Sequence, residues 1–222
     1  MKIRLLYMGM LSFLIGFTGC RSNPIERIKL AALKGKKEIN YSINREGCAT
    51  IQRVLIMPVK NDTDIQSAAE ETYHLLLLQL SKCNYFESVS WRDMQEDALN
   101  RFQLLGNTPL PAGDDLESIK KLGKDYQIDA VLFPEVKQYR AYRPLFFGYK
   151  HKMIQTSDSA ILWMVDEAFD MAEPNVNRCA KNWYYRTHGE ENNPGLKSEL
   201  MDISMNSLIQ FALFSILETW LK

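Results

Sequence analysis

The stretch RVLIMPVKNDTDIQSAAEETYHLLLLQL, residues 53–80, decides the fold class. Residues 53–59 are a short apolar run that ends in turn-forming residues, which predicts a buried strand. Asp62, Thr63 and Asp64 offer N-caps for a helix, and apolar or small residues then recur at helical spacing as far as Asn84. Residues 85–91, YFESVSW, alternate with the period of a strand. The order strand, helix, strand begins an α/β domain.

The alternation continues along the chain. Helical patterns cover residues 92–105 and a segment that starts at Asp114 or Asp115, and residues 128–136, IDAVLFPEV, predict a further buried strand. Two extended segments, 135–142 and 150–165, predict an antiparallel hairpin. We expect the far end of the second segment to be buried on both faces, because apolar residues occupy both of its parities.

Two more helices are predicted, at residues 175–186 and 196–221. The fold class is therefore α/β: a mixed sheet flanked by helices in two or three layers, with an antiparallel hairpin and a long C-terminal helix. We assign the single domain to residues 48–222. Six residues are predicted to be buried in its sheet: Val54, Ile56, Val131, Leu132, Leu162 and Trp163.

Composition limits the function. The chain has 222 residues, of which 46% are hydrophobic and 24% charged, so it can hold one globular domain with a short appendage. Its 27 basic and 27 acidic residues balance, and nucleic-acid binders usually carry a basic excess. We predict no nucleic-acid partner.

The N-terminus indicates export. Residues 1–19 combine a basic start with an uncharged apolar stretch that is short for a membrane span, which is typical of a signal peptide. Phe17-Thr18-Gly19-Cys20 resembles the lipobox of bacterial lipoproteins, which implies that Cys20 is acylated and becomes the new N-terminus. Arg21 at the next position implies sorting to the outer membrane, with the body in the periplasm. The alternative is an uncleaved membrane anchor, and residues 20–47 are interpreted as a lipid-anchored tether.

The remaining cysteines are Cys48, Cys83 and Cys179. The exported compartment permits disulfides, yet three cysteines cannot all pair. We favour one disulfide and one buried thiol, and the sequence leaves the pair open. Their spacing contains no C-x-x-C motif.

No catalytic, cofactor or metal site is predicted. The three histidines lie outside any metal-binding motif, and the common hydrolase and nucleotide-binding motifs are absent from the sequence. The carboxylates Asp166, Glu167 and Asp170 could bind a cation or act in acid/base chemistry, although we favour a solvated turn at a strand end.

Two segments are candidate interaction surfaces. The first interleaves aromatic and basic residues between Tyr139 and Lys150, and either partner binding or cross-strand packing explains it. The second is residues 208–217, LIQFALFSIL, whose apolar residues surround the helix and fit either a core or a partner surface. The interface residues predicted from both segments are Tyr139, Arg140, Phe146, Phe147, Phe211, Phe214 and Leu217, the last three as exposed anchors.

Three phrases of the sequence resemble a known family: RVLIMPVKNDTD, LGKDYQIDAVLFPEV and SAILWMVDEAFD. They are similar to the periplasmic α/β domain shared by the curli secretion lipoprotein CsgG, the penicillin-binding-protein activator LpoB and the N-terminal domain of TolB. The resemblance covers residues 50–170 and carries no catalytic residue. The turn after Asp166 departs from the family, and the single predicted hairpin disfavours a secretion channel.

These observations predict a non-enzymatic outer-membrane lipoprotein. Its domain would act as an assembly, scaffold or activator module that binds another envelope protein or itself, without a cofactor. The alternative is a glycan-binding module or an envelope enzyme that uses the surface 139–150 or the carboxylates at 166, 167 and 170.

Overall fold

One mixed sheet organises the computed structural model, which describes residues 37–93, 116–188 and 203–221. Its strands are β1 (Tyr41–Ile43), β2 (Arg53–Ile56), β3 (Lys60–Asn61), β4 (Glu87–Ser90), β5 (Ala130–Arg140), β6 (Phe146–Gln155) and β7 (Ile161–Asp170). The helices are α1 (Arg45–Cys48), α2 (Ser67–Cys83), α3 (Leu116–Tyr126), α4 (Pro174–His188) and α5 (Met205–Leu217). Short 3₁₀ helices cover Trp91–Asp93 and Glu218–Leu221.

The strand order is β1-β7-β6-β5-β2-β4, and β3 also pairs with β5. Strands β4, β2 and β5 are parallel, whereas β5, β6, β7 and β1 are antiparallel. The helices α2 and α3 precede the parallel strands β4 and β5, as crossover connections require. The predicted α/β class with a mixed sheet is confirmed.

The antiparallel part differs from the predicted single hairpin. The extended segment 150–165 is divided by a turn after Gln155, so that β5, β6 and β7 form a three-stranded meander. The backbone N–H of Gln155 bonds to the carbonyl of Ala160 across this turn, at 2.9 Å. Ser159 supplies the positive φ of 65°. Thr156 to Ser159 is a run of turn-favouring residues, but it lacks the Gly or Asn-Gly of a tight hairpin, and the turn was missed.

Two cores lie on opposite faces of the sheet. The larger core packs one face against α2, α4 and α5. The smaller core places Ile119 of α3 in a cluster with Leu55, Val131 and Ile154 on the other face. The architecture therefore has three layers near α3 and two layers over the meander. All six residues predicted to lie buried in the sheet are fully buried.

One expectation for β7 is wrong. Ile161 and Met164 are 50% and 37% exposed, while Trp163 and Val165 are buried. The far end of this strand is thus buried on one face only, because the larger core lies on that side and the smaller core is formed by β2, β5, β6 and α3.

Asp129 and Gly123, both in the phrase LGKDYQIDAVLFPEV, fix how neighbouring elements meet. Asp129 accepts hydrogen bonds from the N–H groups of Gln52 and Arg53 at 2.9 and 2.8 Å, so its carboxylate ties the start of β5 to the start of β2. Gly123 of α3 lies so close to Thr156 that an added Cβ would be 2.5 Å from its hydroxyl oxygen. Glycine at this position permits α3 to approach the residue that follows β6.

Helix α2 begins three residues later than the polar run that was predicted to cap it. Its N-cap is Gln66, which makes no side-chain capping hydrogen bond. Asn61 instead organises the preceding turn, because its Oδ1 accepts from the N–H of Thr63 at 3.0 Å and its Nδ2 donates to the carbonyl of Ile65 at 2.9 Å.

Residues 37–47, which the sequence analysis placed in the tether, belong to the folded domain. Strand β1 pairs with β7, with Tyr41 opposite Val165. Arg45 donates to the carbonyl oxygens of Trp220 and Thr219 at 2.7 and 3.0 Å, which holds the C-terminal 3₁₀ helix. These long-range pairs leave no local periodicity in the sequence, so only the three-dimensional structure reveals them.

The C-terminal helix is shorter than predicted. It begins at Met205, because Ser204 is extended and its hydroxyl accepts the N–H of Ser207 at 3.2 Å. Residues 189–202 lie outside the described ranges. Among the helices that are described, none combines the length and the apolarity that a membrane crossing needs.

No disulfide joins Cys48, Cys83 and Cys179, so the preference for one bridge is wrong. They lie on different elements: the end of α1, the end of α2 and the middle of α4. Burial raises the pKa of all three thiols above the ordinary cysteine value. Raised pKa values make these thiols poor nucleophiles at neutral pH.

Candidate functional site

The strongest candidate surface is the hairpin tip, residues 140–146, which connects β5 to β6. Tyr142 is 75% exposed, the largest value among the exposed apolar and aromatic side chains of the described residues. Arg140 locks the turn beneath it: its Nε donates to the carbonyl of Pro144 at 2.6 Å, and its Nη2 is 3.4 Å from Oδ1 of Asp170 on β7. The tip is therefore tied to the neighbouring strand.

Two aromatic rings, those of Phe146 and Tyr142, lie near the Arg140 guanidinium. It lies 5.5 Å from the ring centroid of Phe146 and 6.0 Å from that of Tyr142. Such cation–π contacts stabilise by about 0.5–1 kcal/mol at exposed sites. The arrangement presents an ordered aromatic and basic surface to solvent.

Tyr139 and Phe147 do not belong to this surface. The Tyr139 hydroxyl donates to Oε2 of Glu71 on α2 at 2.5 Å, and burial, followed by that carboxylate, raises the pKa of Tyr139. Phe147 is fully buried and stacks on Tyr149 with centroids 5.9 Å apart. Since successive residues of β6 point to opposite faces, the aromatic and basic run is divided between core and surface. The prediction of Phe147 as an interface residue is wrong.

A cavity of about 320 Å³ adjoins the tip. Its lining is apolar except for two basic side chains and one amide: Arg143, Pro144, Leu145, Met171, Asn177, Lys181 and Ile203. Asn177 is oriented by a hydrogen bond from its Nδ2 to the carbonyl of Met171 at 3.1 Å. The sequence analysis missed this cavity, because its walls come from three segments that are distant in sequence.

The C-terminal helix does not provide the predicted exposed anchors. Phe211 and Leu217 are 5% and 2% exposed, because α5 lies between the sheet, α2 and α4. Phe211 contacts the rings of Phe169 and Trp183, with centroids 5.9 and 6.1 Å away. Phe214 is half-buried against Trp183 at 5.9 Å. The apolar helix is core, and Phe211 and Leu217 are corrected accordingly.

The three carboxylates of β7 are not brought together. Asp166, Glu167 and Asp170 lie within the strand rather than in a turn after it. Asp166 is exposed, whereas Asp170 binds Arg140. Among the described residues, no three acidic, histidine or cysteine side chains form a group that could hold a metal ion.

Glu167 fastens the beginning of the described chain to the sheet. Its Oε1 is 2.7 Å from Nζ of Lys37, and its Oε2 accepts the N–H of Asn40 at 2.9 Å. The Lys37 ammonium also lies 5.0 Å above the ring of Phe169. Burial raises the pKa of Glu167, but hydrogen bonds from Lys37, Asn40 and Ala168 outweigh it and hold that pKa below the ordinary value. This carboxylate is structural.

The fold has counterparts among solved structures. The PelC dodecamer from Paraburkholderia phytofirmans is 10% identical with a TM-score of 0.42, covering 81% of this chain and 98% of that one. Lipoprotein GNA1162 from Neisseria meningitidis is 16% identical with a TM-score of 0.42, covering 64% and 99%. The LpoB C-terminal domain from Salmonella enterica is 16% identical with a TM-score of 0.38, covering 67% and 94%.

No protein-family model matches the chain, and no curated protein matches it. Identities of 16% or less and TM-scores below 0.5 in these three comparisons describe a distant likeness of fold and carry no role for any residue. The resemblance to CsgG and TolB stays a prediction.

Proposed function

We propose that the chain is a non-enzymatic, lipid-anchored lipoprotein of the outer membrane. Its periplasmic domain acts as an assembly, scaffold or activator module by binding another envelope protein through the hairpin tip. The observation that carries this proposal is Tyr142, which is 75% exposed on a turn that Arg140 holds in place.

The chemistry of the tip suits protein recognition. Tyr and Arg are enriched among the residues that dominate binding energies, and an ordered surface loses little conformational entropy on association. The Arg140 contacts order the turn before a partner arrives. The adjoining cavity can accept an apolar side chain of the same partner, since Leu145, Met171 and Ile203 line it.

The described chain enters the domain near the hairpin tip. Strand β1 is antiparallel to β7, and Lys37 reaches Glu167, three residues from the tip-facing end of β7 at Asp170. The tether therefore meets the domain near the end of the sheet that carries the tip. Residues 21–36 connect Cys20 to Lys37 and can span at most about 60 Å. The tip can thus work close to the membrane or some distance from it.

We expect a radioactive fatty acid to label the wild-type protein in cells and to leave Cys20→Ala unlabelled, because only the thiol accepts the diacylglyceryl group. Cys83→Ala is the matched control and should be labelled like the wild type. Labelling of Cys20→Ala would contradict the lipid anchor. A wild-type protein that stays unlabelled would favour the uncleaved N-terminal anchor.

Tyr142→Ala should weaken binding to the envelope partner about thirtyfold or more, the effect of losing a hot spot of about 2 kcal/mol. The partner is first identified by crosslinking in intact envelopes, and binding is then measured with both purified proteins. Leu78→Ala, an exposed residue on α2, is the matched control and should bind normally.

Unchanged binding by Tyr142→Ala would contradict the proposed role of the tip. A Tyr142→Ala protein that keeps its protein partner but no longer binds peptidoglycan would instead support the glycan-binding alternative.

A further inference from the structure

The cavity beside the hairpin tip combines apolar and basic lining residues. The apolar ones are Leu145, Met171 and Ile203, and all three are buried. The basic ones are Arg143 on the tip and Lys181 on α4. Among the lining residues that the structure describes, none is acidic. This combination suits a ligand that joins an alkyl group to an anion.

Hydrogen bonds hold the lining in place. The backbone N–H of Met171 donates to the carbonyl of Leu145 at 2.9 Å, which joins the end of β7 to the hairpin. Nδ2 of Asn177 donates to the carbonyl of Met171 at 3.1 Å and so joins α4 to the same segment. Nε of Arg140 fixes Pro144, another lining residue, at 2.6 Å. A ligand therefore meets a surface that is already ordered, which lowers the entropic cost of binding.

The volume limits the size of the ligand. At about 320 Å³ the cavity lies at the lower end of the range for ligand pockets, about 300 to 1,000 Å³. It suits a single aliphatic residue rather than a glycan chain or a long acyl chain. An alkyl group and a carboxylate that both enter this small volume are best supplied by one residue. A C-terminal aliphatic residue carries both groups.

Arg143 and Lys181 can bind the carboxylate. Arg143 is exposed and Lys181 is half-buried. A guanidinium has five N–H donors and an ammonium has three, so each side chain can keep its contacts within the chain and still donate to a ligand oxygen. Hydrogen bonds between ionised groups are roughly twice as strong as those between neutral groups. The cavity should therefore prefer a carboxylate to an amide of the same shape.

We propose that this cavity binds the C-terminal aliphatic residue of the envelope partner. The α-carboxylate lies against Arg143 and Lys181, and the side chain lies against Leu145, Met171 and Ile203. This inference rests on the proposed function, because it names the part of the partner that the region of the hairpin tip receives.

Three small probes test the two halves of the inference separately. Isocaproate reproduces the carboxylate and the side chain of a C-terminal leucine, isocaproamide removes the charge, and acetate removes the alkyl group. The full chain is held in lipid nanodiscs, so that no detergent competes for the cavity. Isocaproate should shift the methyl NMR signals of Leu145, Met171 and Ile203. Isocaproamide and acetate should each bind about tenfold more weakly.

Substitutions of the two cations test which groups recognise the charge. Lys181→Gln and Arg143→Gln should each reduce the preference for isocaproate over isocaproamide from about tenfold to about threefold or less, since glutamine is polar but uncharged. Arg178→Gln is the matched control, because Arg178 is an exposed cation of the same helix outside the lining. It should keep the preference of the wild type. Circular dichroism verifies the fold of each variant.

The partner identified by crosslinking tests the inference in the complex. A partner extended by Gly-Ser at its C-terminus should bind about tenfold more weakly, and so should the natural partner to Lys181→Gln. Weakened binding in both experiments supports the inference even where Tyr142→Ala binds normally. If Tyr142→Ala weakens binding while the extended partner and Lys181→Gln bind normally, this inference is wrong and the proposed function stands.

Two results with the probes would also overturn the inference. One is the absence of any shift of the three methyl signals up to the solubility limit of isocaproate. The other is an equal affinity of the wild type for isocaproate and isocaproamide.

Discussion

Trp163→Ala should lower the free energy of unfolding by about 3 to 5 kcal/mol, the range for removing a fully packed large aromatic side chain. Trp163 is 0% exposed and lies in the larger core. Its ring centroid is 4.1 Å from that of His151 and 5.4 Å from that of Trp220. Its Nε1 also donates to Oγ1 of Thr219 at 3.0 Å. The substitution therefore opens a cavity and leaves a buried hydroxyl with one partner fewer.

Urea denaturation followed by circular dichroism measures this loss. Trp163→Phe is the matched variant: it keeps an aromatic ring but removes the hydrogen bond and part of the ring volume, so it should cost less than Trp163→Ala, about 1 to 3 kcal/mol. A wild-type Trp163 fluorescence that is readily quenched by acrylamide would contradict the burial on which the prediction depends. Trp163→Ala with unchanged stability would contradict it as well.

Acid should destabilise the domain through His151, by about 1.4 kcal/mol for each pH unit below about 6.5. His151 is buried between Tyr149 and Trp163, and burial lowers its pKa to about 3. An unfolded histidine has a pKa of about 6.5. Between these two values the unfolded chain binds a proton that the folded chain does not. The contribution of neutral His151 to the free energy of unfolding is therefore fully present above about pH 6.5 and is lost as the pH falls toward 3.

The free energies of unfolding at pH 7 and pH 4.5, measured for the wild type and for His151→Phe, test this prediction. The wild type should lose about 3 kcal/mol more than the variant between these values, because two pH units of the histidine effect lie in this interval. Other titrating groups are common to both proteins and cancel in the difference. An identical pH dependence of the two proteins would show that His151 does not carry the acid sensitivity.

Core positions and element types were predictable because they follow from local patterns. The strand at Val54, the helix that ends near Asn84 and the burial of Leu132 all come from periodicity within one element. The turn between β6 and β7 was missed, because Thr156 to Ser159 consists of turn-favouring Thr, Ser and Asp but lacks the Gly or Asn-Gly of a tight hairpin. For the candidate site, the sequence identified Arg140 but could not place Asp170 beside it.

By itself, the sequence determined the α/β alternation, the six buried sheet residues and a mixed aromatic and basic run around the hairpin. Only the tertiary structure decided which of those aromatic side chains face solvent. Phe147 lies in the core, whereas Tyr142 is exposed. It also decided that Glu167 holds Lys37 and that Arg143 and Lys181 line one cavity. The physical reason is that the periodicity of a sequence indicates only which side of its own helix or strand a residue lies on. The residue that it contacts there depends on how segments distant in sequence pair with each other.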